Sequence, residues 1–284
     1  MGDKTKIDWC DASWNPVTGC LHGCTYCYAQ RMVKRFTPKN SYTLTELFNY
    51  GNHIDVFKSE RTGSQVCVLN KPFKVPRITL PGQPDETITE PYPTGFYPTY
   101  HRYRLDIPRK WEKPKTIFVC SMADLFGEWV PDYWIEEILD ACRDAPQHRY
   151  LFLTKNPKRY DELVNKGIIT SRDDNFWFGS TVTDLRTDPF FHSGFHTFLS
   201  CEPMLAPWPP ADYPNPYFTF QTGLPQWFIF GAETGNSPFK IIPKKEWVMN
   251  AAGICRNIGA KVFMKESLRE IMGADFIQEF PWDN

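Results

Sequence analysis

From Lys115 onward the chain alternates short apolar runs with stretches of helical period, which restricts it to β/α units on a parallel sheet. The runs Thr116–Cys120, Tyr150–Thr154, Phe176–Ser180, Thr197–Ser200, Trp227–Phe230 and Lys261–Met264 read as strands. Between them, a helix after Pro131 presents Trp134, Ile135, Ile138, Leu139 and Cys142 on one face. A second is capped by Asn156 with Pro157 at its first position, turns Tyr160, Leu163 and Val164 inward and stops at Gly167. A third opens at Pro243, carries Trp247, Ala251, Ile254 and Ile258 at helical spacing, and closes at Gly259. A further strand near Ala12–Thr18 brings the expected total to six or seven, about enough for a partial parallel β/α barrel.

One domain spanning residues 1–284 is expected, interrupted after the first β/α unit by an irregular insertion at about 37–113. The insertion is rich in Pro, Tyr, Thr and Gly, and its only helical run lies near Leu44–Phe48. With 42% hydrophobic residues, 23% charged and a net charge of −1, the composition is globular and carries no global signature of a nucleic-acid binder. No run approaches the length needed to span a bilayer, so no membrane partner is expected. Nine cysteines, with no apolar run after Met1, lead to the expectation of a reducing cytosol.

Chemistry concentrates in Cys20-Leu-His-Gly-Cys24-Thr-Tyr-Cys27. Three thiolates at this spacing can hold three corners of an iron–sulfur cube and leave the fourth iron open to a substrate or cosubstrate. Structural zinc is the alternative, but it needs a fourth ligand; His22 lies inside the loop and no second CxxC exists. In parallel β/α folds, active sites form at the carboxyl ends of the strands. There this chain carries Ser121 and Asp124, Thr154 and Lys155, Ser180 and Thr181, Cys201 and Glu202, Glu233, and Lys265. Lys155, Cys201, Glu202, Glu233 and Lys265 are therefore candidate catalytic groups. Cys120 and Cys201 are either hydrogen donors, ligands of another cluster or packing residues; Glu202 and Glu233 either relay protons or pair with Lys155 or Lys265.

Tyr100, Arg102, Tyr103 and Arg104 lie in a stretch where cations outnumber acids and aromatics are interleaved. Such a mixture suits unpaired bases and phosphates, or else a Tyr-rich loop packed on the barrel with solvated charges.

The cysteine loop, with aromatic Tyr26 before the third Cys, resembles that of radical S-adenosylmethionine enzymes. The resemblance extends to Ile7-Asp-Trp9, Trp14–Cys20, Phe118–Phe126, Pro146–Lys155, Phe198–Pro203 and Phe228–Gly235. Together these segments resemble a phage- and bacterium-associated family of radical-SAM-like proteins, largely of unknown function. The resemblance implies that Cys20, Cys24 and Cys27 bind a 4Fe–4S cluster whose open iron chelates S-adenosylmethionine. Reductive cleavage of that cosubstrate yields a 5′-deoxyadenosyl radical, which abstracts a substrate hydrogen. Tyr26 would lie against the adenine, and Ser121 and Asp124 stand where such enzymes often carry Gly-Gly-Glu. Ser180 and Thr181 would meet the ribose or carboxylate, with Phe228–Glu233 alongside the adenine. An electron donor of the flavodoxin or ferredoxin type is implied, in the host cytosol if the protein is phage-encoded. The expected reaction is modification, isomerisation or repair of a nucleic-acid base. The rivals are a radical enzyme acting on a peptide or metabolite, and a zinc-stabilised nucleic-acid-binding module without catalysis.

Overall fold

The computed structural model describes residues 5–36, 54–76, 87–183, 189–208, 224–235 and 240–283. In chain order the strands are β1 (Ala12–Trp14), β2 (Val17–Thr18), β3 (Ile54–Lys58), β4 (Gln65–Leu69), β5 (Lys74–Pro76), β6 (Thr87–Thr89) and β7 (Thr99–His101), followed by β8 (Thr116–Val119), β9 (Arg149–Thr154), β10 (Phe176–Thr181), β11 (His196–Cys201), β12 (Trp227–Phe230) and β13 (Lys261–Met264). The helices are α1 (Tyr28–Phe36), α2 (Asp132–Arg143), α3 (Lys158–Asn165), α4 (Lys245–Asn257) and the short α5 (Arg269–Met272). No helix among the described residues is long and apolar enough to cross a membrane.

Seven strands form one sheet in the order β1-β8-β9-β10-β11-β12-β13, the topology of a partial parallel β/α barrel. From β9 to β13 each strand pairs in parallel with the next; Ser180 lies opposite Thr154, and Cys201 opposite Phe230. From β9 to β13 the parallel pairing brings the carboxyl ends of successive strands to one end of the sheet.

The chain divides into two compact units, each assembled from separated segments. The first comprises Met1–Ala12, Lys115–Phe118 and His148–Asn284. One of its cores gathers Leu151, Trp177, Phe198, Trp227, Ile229 and Phe263 around Trp9, with Phe280 and Trp282 packed against them. Such a continuous apolar filling is what a parallel sheet covered on both faces demands. A second core joins β11, β12 and β13 to α4 through Leu199, Phe228, Phe230, Val248, Ala251, Ala252, Cys255 and Val262. The inward face of α4 is thus Val248, Ala251, Ala252 and Cys255, while Trp247, Ile254 and Ile258 are only half-buried; the predicted stripe is corrected by part of a turn.

The second unit comprises Ser13–Pro114 and Val119–Gln147. Here the expectation of an irregular insertion is corrected. Strands β3, β4 and β7 join β2 in a four-stranded sheet of order β2-β7-β4-β3, with β4 parallel to β7 and the other two pairs antiparallel. Val66, Cys67, Val68 and Leu69 of β4 are all buried, so the β-branched run Gln-Val-Cys-Val-Leu makes a two-sided central strand. The run Leu44–Phe48 lies outside the described residues. In α2 all five predicted apolar positions are fully buried.

Candidate functional site

In the second unit the cysteine loop leaves β2 and ends on α1. Its entry is clamped: Gly19 N–H donates to Met122 O (3.0 Å) and Cys20 N–H donates to Phe96 O (3.2 Å). Gly19 has φ +83°, and a Cβ there would lie 2.2 Å from Tyr97 O, so only glycine fits. At the exit, Cys27 Sγ accepts Gln30 N–H (3.3 Å) and Cys27 O accepts Arg31 N–H (3.3 Å). The third thiol therefore caps the first turn of α1. Ala29 and Val33 bury the inner face of α1 against Met122, Tyr92 and Phe96.

Inside the loop, His22 Nε2–H donates to Asp124 Oδ2 (2.7 Å), and its ring meets Trp129 edge-on at 4.9 Å. Asp124 is buried, and its other oxygen accepts Phe126 N–H (3.0 Å). Ser121 Oγ donates to Asn15 Oδ1 (3.1 Å), which also accepts Met122 N–H (2.9 Å). Both oxygens of Asp124 thus bond to the protein, one of them to His22 of the cysteine loop. Asn15 and Trp129 are supporting residues that the loop motif did not reveal, although Asn15 lies within the stretch Trp14–Cys20.

Cys20, Cys24 and Cys27 are all half-buried. Burial pushes the Cys20 thiol up to about 12, partly relieved by a hydrogen bond from the backbone of His22, with Asp124, Cys27 and Cys24 adding repulsion. The thiols of Cys24 and Cys27 thus lie within electrostatic reach of Cys20. Among the described residues no group of three or more His, Cys, Asp and Glu side chains converges on a single-ion site. The donor set is three thiols on one clamped loop, the third at the first turn of α1. Tyr26 is half-buried in the same loop.

In the first unit, the segments following β11, β12 and β13 are knitted by backbone bonds. Met204 N–H donates to Gly231 O (2.8 Å), Lys265 N–H to Phe230 O (2.9 Å), and Ala232 N–H to Ser267 Oγ (3.0 Å). Across this platform Lys265 Nζ pairs with Glu202 Oε1. A Cβ at Gly231 would stand 3.0 Å from both Glu202 Cγ and Lys265 Cδ, so the glycine gives the pair its room. The predicted alternative of a carboxylate paired with a lysine is the observed one for Glu202. Asp8 Oδ2 accepts Glu266 N–H (2.7 Å) and adds a carboxylate that the rim pattern overlooked. Lys155 and Glu233 are half-buried at the ends of β9 and β12.

Two rim residues are corrected. Ser180 is fully buried and its Oγ accepts Phe190 N–H (3.0 Å), so its hydroxyl serves the fold rather than a ribose. Cys201 lies in the α4 core, where burial drives its thiol far above the ordinary range, the inert state of a packing residue. It nevertheless borders a small recess with Thr183, Met204 and Trp208. Thr181, the next residue, is also buried.

In the basic-aromatic run of the second unit Tyr100 and Arg104 turn inward while Arg102 stays exposed, which corrects it as a continuous stacking surface. Tyr100 is fully buried and donates to Glu137 Oε2 (2.7 Å); Arg102 pairs with the same carboxylate. Arg104 is buried, donating to Asn15 O (2.8 Å) and lying over the half-buried Tyr103 ring. Tyr100 and Arg104 are thus held at β7 and just after it by hydrogen bonds that satisfy their buried polar groups.

A family model described as "Protein of unknown function (DUF5131)" matches residues 4–79 and 83–269. No curated protein and no solved structure matches the chain.

Proposed function

The chain belongs to that family of unknown function, and from this premise we propose that it is a radical S-adenosylmethionine enzyme whose cluster is held by Cys20, Cys24 and Cys27. The observation that carries the reading is the clamped loop: three half-buried thiols, fixed at Gly19 and ending on the first turn of α1. These three residues would hold a 4Fe–4S cluster with one open iron, and such a cluster, once reduced by an external donor, would supply the one-electron chemistry of reductive S-adenosylmethionine cleavage. Asp124 holds His22, and through it the loop, in register. Tyr26 offers a ring for the adenine. Within the first unit Lys265 and Glu202 neutralise each other, and Lys155 and Glu233 are further polar groups following its strands.

The test is anaerobic purification followed by iron and sulfide analysis and electron paramagnetic resonance. Brown protein with about four irons per chain is expected, bleaching on reduction, and cleaving S-adenosylmethionine. Cys24→Ala should lose colour and cleavage together. Colourless protein carrying stoichiometric zinc, or cleavage that survives in Cys24→Ala, would overturn the proposal.

A further inference from the structure

Hydrogen abstraction requires the substrate itself to reach the cysteine loop, so the surface bordering that loop is where substrate chemistry should be legible. From Ala12 to Phe36 the chain contains no Asp or Glu, although its net charge is −1. On α1, Tyr28, Arg31, Lys34 and Arg35 are exposed and occupy one arc of the helix, opposite the buried Ala29 and Val33. The turn 92–97 packs on the same helix through Tyr92 and Phe96. It presents Tyr97, 47% exposed, directly beside the loop entry at Gly19. Tyr28, 57% exposed, immediately follows Cys27. Two phenol rings and the cations of α1 thus lie on the surface around the loop, while Tyr100 and Arg104 are buried and Arg102 pairs with Glu137.

We infer that this face of α1, together with Tyr97, binds single-stranded nucleic acid, the polymer substrate class of the radical reaction proposed above. The inference rests on that reading only for the reason the strand is brought there. Exposed rings stack on unpaired bases of any sequence, and Arg31, Lys34 and Arg35 neutralise the phosphates between them. An acidic protein would meet the same charges but would gain little from flat rings flanking the thiols.

The experiment uses the full-length protein and a fluorescein-labelled single-stranded DNA of about 15 nucleotides, near the upper site size of such grooves, with anisotropy read at two salt concentrations. Three phosphate contacts on a single strand predict a log–log salt slope of about −2, so affinity should fall on the order of tenfold for a fourfold rise in salt. Lys34→Glu with Arg35→Glu should weaken binding by at least about tenfold and flatten the slope by about 1.4. Tyr28→Ala should weaken it by about tenfold and leave the slope unchanged. Lys244→Glu, on an exposed cation of the first unit, should do neither. Binding that ignores salt, or is unaltered in these α1 variants, overturns the inference. Polyglutamate displacing the DNA, with Tyr28→Ala without effect, also overturns it and assigns the face to an acidic protein. Iron content is measured on every variant: protein that binds the strand normally but holds no iron supports this inference while sinking the cluster reading.

Discussion

Gly19 carries a constraint out of proportion to its size. Its positive φ strains any L side chain, and the space a Cβ would take already holds the Tyr97 carbonyl. Gly19→Ala should therefore destabilise the second unit by about 2–4 kcal/mol, combining backbone strain with a backbone collision. Urea unfolding would measure it, and a variant as stable as its parent would contradict the geometry. The same residue shows how much of the site could be read in advance. The thiol spacing, a local property of Cys20–Cys27, was visible in the sequence. That Asp124 is committed to His22 was not, because the two residues are 102 positions apart and meet only when the loops close.

Among the elements, α2 and α4 show opposite outcomes for one method. In α2 the apolar positions form a single stripe, so periodicity and burial coincide. In α4 apolar residues surround more of the helix. Periodicity therefore admits two stripes, and packing on β12 and β13 selects Val248, Ala251, Ala252 and Cys255. Strand β7 carries a pH signature. His101 is buried and shares a 2.8 Å hydrogen bond with Thr18 on β2; burial, and then the neighbouring Arg104, hold its imidazole well below the ordinary range. Below about pH 6.5 the unfolded chain thus binds a proton that the folded chain refuses. Stability from this source is complete above that pH and is lost progressively as pH falls toward the depressed folded value. The thermal midpoint should drop between about pH 6.5 and 5, and His101→Gln should drop less steeply over that range even if it starts lower. Identical slopes would show that another group dominates.

For the whole molecule, each compact unit is built from segments distant in sequence. In the first unit Trp9 lies 4.6 Å from Phe118, 6.2 Å from Trp227 and 6.3 Å from Phe198, measured between ring centroids. The fragment His148–Asn284 alone would lack Trp9 and Phe118, leaving a void whose cost, about 3–5 kcal/mol for the indole alone, consumes much of a domain's stability. Expressed by itself it should bind an apolar dye and lack sharp near-ultraviolet dichroism, whereas a cooperative melt would refute the role of Trp9. The strands from Thr116 onward, the helices between them and the spacing of Cys20, Cys24 and Cys27 were determined by the sequence alone, since periodicity and spacing are properties of neighbours along the chain. Tertiary structure alone decided the four-stranded sheet within the insertion, the inward turn of Tyr100 and Arg104, the burial of Ser180 and the pairing of Lys265 with Glu202. The reason is physical: a polar or aromatic side chain faces inward only if a distant residue satisfies it there, and that partner is set by the path of the folded chain.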